Sequence, residues 1–172
     1  MGFGLALVLL IPIAVAVAYR ASHSEMINDS LVSQLFAGAA LFVVAGPLIG
    51  GVVYFVLSVI FRSGIAGTSS FYLENPGIAL VGAYAFFGVP VLVAGCVAGA
   101  LVPFIKSWRQ CLFVGLASFP ISLLWSGAFS NPLGFSFQAA VHWVLTGKGF
   151  DLFLPLCVFV PSVLLSRVLR IP

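Results

Sequence analysis

Charge is what this chain has least of. Seven of its 172 residues are Lys or Arg and four are Asp or Glu, 6% in all, against 62% hydrophobic residues. A soluble domain carries about 25% charged residues. A soluble fold of this size cannot hide so much apolar surface, because small domains leave a large part of their surface in water. The mean hydropathy of +1.25 therefore points to lipid as the solvent. The long apolar runs contain no Asp, Glu, Lys, Arg or His at all. Ionisable groups inside a membrane usually mark ion or proton pathways, so their absence argues against a proton-coupled transporter or a voltage sensor. It also argues against a membrane metalloprotease, which needs metal ligands such as HExxH. A serine-based intramembrane protease needs a base beside its nucleophile. Ser58, Ser118, Ser122 and Ser126 lie in apolar runs that hold no His or Lys.

Cysteine and histidine are scarce too. Cys96, Cys111 and Cys157 form no CxxC pair, which excludes the common zinc and redox motifs. Cys96 and Cys157 stand inside apolar runs, where a thiol behaves as a small hydrophobe. His23, Glu25 and Asp29 share one polar stretch, but their spacing matches no established metal site and reads as a solvated loop. His142-Trp143 reads as an interfacial anchor, and Glu74 and Asp151 as groups that cap or complement helix starts. No catalytic residue, cofactor or metal is expected, and the chain is read as non-enzymatic.

What is abundant is apolar length. A helix needs roughly 20 apolar residues to cross a bilayer. The chain reads as all-α, a polytopic membrane helix bundle forming one integral membrane domain over residues 1–172. Spans are expected near 2–19, 35–61, 77–105, 111–129 and 152–166, with a short interfacial or re-entrant helix near 135–146. The first run contains an A-x-A pattern at Ala16-Val17-Ala18. Its lack of a basic leading region and its length favour an uncleaved helix over a signal peptide. The polar stretch that follows, Arg20 to Gln34, offers Asp29 or Ser30 as a cap for the second helix. Asn75-Pro76 marks the start of the third, with proline at the first helical position. The second run is long enough to require tilt or interfacial extension. Trp108, Trp125 and Trp143 are read as interfacial belt residues.

The basic residues are scattered at span ends and form no phosphate-binding patch, so nucleic acid is not an expected partner. They do carry topology. With five spans, Arg20, Lys106, Arg109, Arg167 and Arg170 fall on one side, and Arg62 and Lys148 on the other. The bias towards the first set puts that side, and the C-terminus, in the cytoplasm and the N-terminus outside. The expected location is a bacterial inner (plasma) membrane, with the lipid bilayer as partner.

Glycine and proline are the most informative residues. The second span holds Gly46 and Gly50 around Pro47; the third holds Gly88, Pro90, Gly95 and Gly99. Residues four apart share a helix face, and small ones there let two backbones approach closely. A mid-span proline frees a carbonyl and permits a kink. Two readings compete. In the first, spans two and three form a tight pair in a bundle that packs with itself or other membrane proteins. In the second, they are broken helices lining a midplane site, in a small oligomeric transporter or channel for a neutral solute. The first is favoured, because small residues at helix interfaces are common in membranes. A dry seam at Pro47 and Pro90 would support the first reading; a polar, water-accessible cavity there would support the second. The Gly46–Gly51 and Gly88–Gly95 runs resemble those of small bacterial inner-membrane proteins, a likeness confined to spans two and three that implies no activity.

Overall fold

The computed structural model describes residues 3–23, 30–61, 76–129 and 153–169. The expected helix near 135–146 lies outside the described residues. Among those described, regular structure is all helical: α1 (Phe3–Ser22), α2 (Leu31–Phe61), α3 (Pro76–Leu101), α4 (Trp108–Phe129) and α5 (Phe153–Val168). Two segments, Leu31–Leu57 and Leu80–Phe104, are long and apolar enough to cross a membrane.

The helix ends follow local chemistry. Ser30 caps α2: its Oγ accepts the Ser33 N–H at 3.4 Å. The helix thus starts four residues before the apolar run at Leu35, because a cap and not hydropathy decides where a helix begins. Pro76 occupies the first position of α3, where its missing N–H costs nothing. At the other end of α3 Pro103 has no N–H to continue the ladder, and the chain tightens into a 3-10 turn, Val102–Phe104. The turn to α4 is closed by a capping box, Ser107-Trp108-Arg109-Gln110. The Gln110 Oε1 accepts the backbone N–H of Ser107 at 2.8 Å and of Lys106 at 2.5 Å. This is the reciprocal half of the motif, with the third helical residue reaching back to the cap. The short connection leaves α3 and α4 as packed neighbours.

The helices α3 and α5 form the centre. The first packs on all four others; the second packs on α2, α3 and α4. Although α5 is the shortest helix, it buries Pro155, Cys157, Val158, Pro161, Ser162, Val163, Leu165 and Ser166. The main core joins Phe42 of α2, Phe87, Val91, Ala94 and Ala98 of α3, and Cys157, Val158 and Val163 of α5. α1 lies on the outer side of α3, with Leu9 near Val93 and Ala16 near Val97 and Ala100. Trp125 belongs to this second cluster and is only 7% exposed. The belt reading of that residue fails because its helix turns it inward, between Ile121 and Leu9.

The outward faces are apolar. On α2, Val32, Phe36, Val44, Leu48, Val52, Val56 and Ile60 recur at steps of four or eight and are 45–72% exposed. Leu7, Leu10, Ile11 and Val15 of α1 and Leu112, Phe113 and Leu116 of α4 are likewise exposed.

Candidate functional site

The inward ridge of α2 runs through Gln34, Gly38, Phe42, Gly46 and Gly50 in steps of four. It meets the α3 ridge of Ala83, Phe87, Val91, Gly95 and Gly99, read in the opposite direction. Gly46 lies against Val91, Gly50 beside Phe87, and Gly51 beside Ala83. Gly95 and Gly99 face Gly38, Phe42 and Gln34. So the pair of spans is as the glycines suggest, but the register is not Gly46 and Gly50 against Gly95 and Gly99. An antiparallel pair sets one glycine pair opposite the large residues of its partner. The mate of Gly95 is Gly38, which precedes Phe42 by one step of the same ridge. Gly38 lies inside the expected second span, 35–61, four residues from Phe42.

The glycines bring backbones together. A side chain begun at Gly95 would come within 2.7 Å of the Gly38 carbonyl oxygen and 2.6 Å of the Phe42 Cβ. One begun at Gly38 would strike the Gly95 carbonyl, and one at Gly99 the Gln34 carbonyl. At Gly50 it would meet the Cys157 carbonyl of α5 at 2.6 Å. Pro161, four residues on, has no N–H to offer that carbonyl. In each case the Cα–H that replaces a side chain points at a carbonyl. These are Cα–H···O contacts of the kind that recurs between closely packed helices. Gly88, by contrast, has open space around it. Pro47 and Pro90 are fully buried, and α2 and α3 continue as helices through both. The region between Pro47 and Pro90 is a packed seam of Gly46, Val91, Phe87 and Phe42. At its edge the Tyr84 Oη donates to the Val44 carbonyl at 3.0 Å.

A second close seam joins α4 and α5. A side chain at Gly115 would come within 2.6 Å of Val163 and 2.9 Å of Phe159. The buried hydroxyls here are satisfied within their own helices. Ser118 donates to the Gly115 carbonyl at 2.6 Å and Ser122 to that of Phe119 at 2.7 Å. Ser162 donates to Val158 at 2.6 Å and Ser166 to Val163 at 2.9 Å. A hydroxyl bonded in this way occupies its proton without recruiting another helix.

The third feature is at one end of the bundle. Arg20 is 3% exposed, not the solvated residue that its place after an apolar run suggests. Its guanidinium donates to the Gln34 Oε1 at 2.5 Å and to the Ala100 carbonyl at 3.4 Å. It thereby ties the last turn of α1 to the first turn of α2 and the last turn of α3. A cation is well placed near the C-terminal carbonyls of α1 and α3, where the helix dipoles are negative. Beside it Tyr19 stacks on His23 at 4.6 Å and meets Phe104 edge-on at 5.2 Å. The His23 ring nitrogen Nδ1 lies 2.9 Å from the Tyr19 carbonyl; Glu25 and Asp29 lie outside the described residues. Arg167 of α5 lies over the ring of Trp108 at 5.6 Å. The same end therefore gathers Arg20, Lys106, Arg109 and Arg167, while Arg62, Lys148 and Arg170 fall outside the described residues.

A groove of about 500 Å³ opens between α1 and α4, with α3 as its floor. No family model, curated protein or solved structure matches this chain.

Proposed function

We propose that the chain is an integral membrane protein, a five-span, non-enzymatic bundle that packs with itself or with other membrane proteins. The apolar stripe of α2, from Val32 to Ile60, supports the membrane reading. It covers 29 residues, about 40 Å of helix, whereas soluble monomers rarely expose contiguous apolar patches beyond a few hundred Å². In a bilayer the same stripe needs no cover. The orientation follows from the basic end with Arg20, Lys106, Arg109 and Arg167: it faces the cytoplasm, placing the C-terminus there and the N-terminus outside. A bacterial inner (plasma) membrane is the proposed location.

The observation that carries the packing role over transport is the seam at Pro47 and Pro90. Both prolines are fully buried, and Gly46 rests on Val91 where a solute site between broken helices would lie. Lipid tails are as apolar as leucine, so helices in lipid associate through close packing and interhelical polar contacts. The glycine seams supply the first of these. The test is twofold. The protein should stay in the pellet after alkaline carbonate extraction. Purified in mild detergent, it should bring down itself or a membrane protein partner in stoichiometric amount. Swelling of proteoliposomes in neutral solutes such as glycerol, faster than in empty vesicles, would instead support the channel reading.

A further inference from the structure

The groove between α1 and α4 has the features of a lipid site. Both helices pack on α3 but share no substantial face with each other. The gap is walled by Pro12, Val15 and Tyr19 on one side and by Gln110, Phe113 and Ala117 on the other. Each wall runs eight residues, about 10 Å of helix, inward from the basic end. The two walls and the α3 floor are therefore largely apolar protein, and the remaining side opens outward past the exposed Val15 and Phe113. The volume of about 500 Å³ lies in the range of sites that hold small organic molecules.

The chemistry changes at the mouth. Phe104, Ile105 and Gln110 line that end, and Lys106 and Arg109, both exposed, adjoin Ile105 and Gln110 in the chain. The Tyr19 ring, half exposed, stands on the opposite wall. An apolar slot with a phenol on its wall, and with two exposed cations one residue beyond its lining in the chain, fits a molecule with an apolar tail and an anionic head.

We infer that this groove binds an anionic glycerophospholipid of the basic-side leaflet, with one acyl chain between α1 and α4 and the phosphate at Lys106 and Arg109. The inference rests on the membrane reading above. A gap of this shape facing lipid is filled by a chain, since a void forfeits the contacts of its walls. The two cations select which headgroup stays. Each basic residue near an anionic lipid surface adds about a factor of five in binding.

The full-length protein in mild detergent is titrated with phosphatidylglycerol or phosphatidylcholine, and bound lipid is counted by native mass spectrometry. The parent is expected to retain one phosphatidylglycerol, preferred over phosphatidylcholine by about twenty-five-fold, two such factors combined. Lys106→Gln with Arg109→Gln, both on exposed positions, should abolish the preference yet leave a lipid bound. Ala117→Trp, which fills the slot and leaves the charges, should lower retention of both lipids. Lack of preference in the parent, or full retention by Ala117→Trp, overturns the proposal. So does a change of oligomeric state in Ala117→Trp without a change in lipid, which would assign the groove to a second copy. Carbonate extraction of the membranes from which each protein is purified, before detergent is added, separates the two readings. Protein that stays in the pellet but fails these titrations refutes the groove alone; protein released to the supernatant refutes the membrane reading and the groove with it.

Discussion

Gly38 and Gly95 face each other across the α2–α3 seam, and each carbonyl lies where the other residue's side chain would begin. Neither backbone can retreat without opening the ridge on both sides. Gly95→Ala, and more strongly Gly95→Leu, should therefore destabilise the protein by about 1–3 kcal/mol, the usual cost of overpacking. Gly88→Ala is the control. It has open space, and alanine in a helix interior is favoured over glycine by about 1 kcal/mol, so this variant should be neutral or more stable. Thermal unfolding in detergent distinguishes the two. Equal melting temperatures for parent and Gly95→Leu would show that the glycine ridge is not the contact face.

The Arg20 node makes a different kind of claim. Replacing Arg20 with Met keeps apolar bulk but removes the donors to the Gln34 side chain and the Ala100 carbonyl. A lost hydrogen bond to a charged group costs about 1.5–3 kcal/mol. Arg20→Lys should recover part of this, since an ammonium carries the charge but lacks the planar fork that reaches two helices. The check is unfolding of the three proteins side by side. If Arg20→Met matches the parent, the arginine does not tie these helices together.

Tyr84→Phe removes a single interhelical hydrogen bond, to the Val44 carbonyl. Such bonds in membranes average about 0.6 kcal/mol, so the expected loss is small. The acceptor, Val44, stands about one turn before Pro47 in α2, and Pro47 has no N–H to offer the neighbouring Val43 carbonyl. A loss above about 2 kcal/mol in a detergent unfolding assay would mean that Tyr84 does more than this one bond.

Orientation is tested from both ends. A reporter joined after Pro172 should report cytoplasm. Lys106→Cys should react with a membrane-impermeant thiol reagent only in inverted vesicles. The native Cys111 and Cys157, fully buried, should remain unlabelled from either side. Labelling of Lys106→Cys in intact cells would reverse the assignment.

Some of this was legible in the chain before any fold was known. The apolar runs and their interruptions locate the helices, because an amphipathic or apolar run of this length has few alternatives to a helix. Asn75-Pro76 marks the start of α3, and Ser30 the start of α2, through rules that involve only neighbouring residues. The box at Ser107 and Gln110 follows the same local rule and starts α4 at Trp108, three residues before the expected span at 111. Glycine at steps of four announces a close helix contact, since a missing side chain has the same consequence in any fold.

The sequence by itself determined where helices begin and end, that their outer faces are apolar, and that cations collect at alternate turns of the chain. Those properties are local: each depends on residues within a helix turn or on composition along one run. Only the tertiary structure decided that Gly95 meets Gly38 rather than Gly46 or Gly50, that Trp125 turns inward, and that Arg20 is buried among three helices. Helices that are apolar on every face carry no periodic signal of which side is inside. Register and rotation then follow from the fit of ridges four residues apart, which depends on both partners at once and cannot be read from either alone.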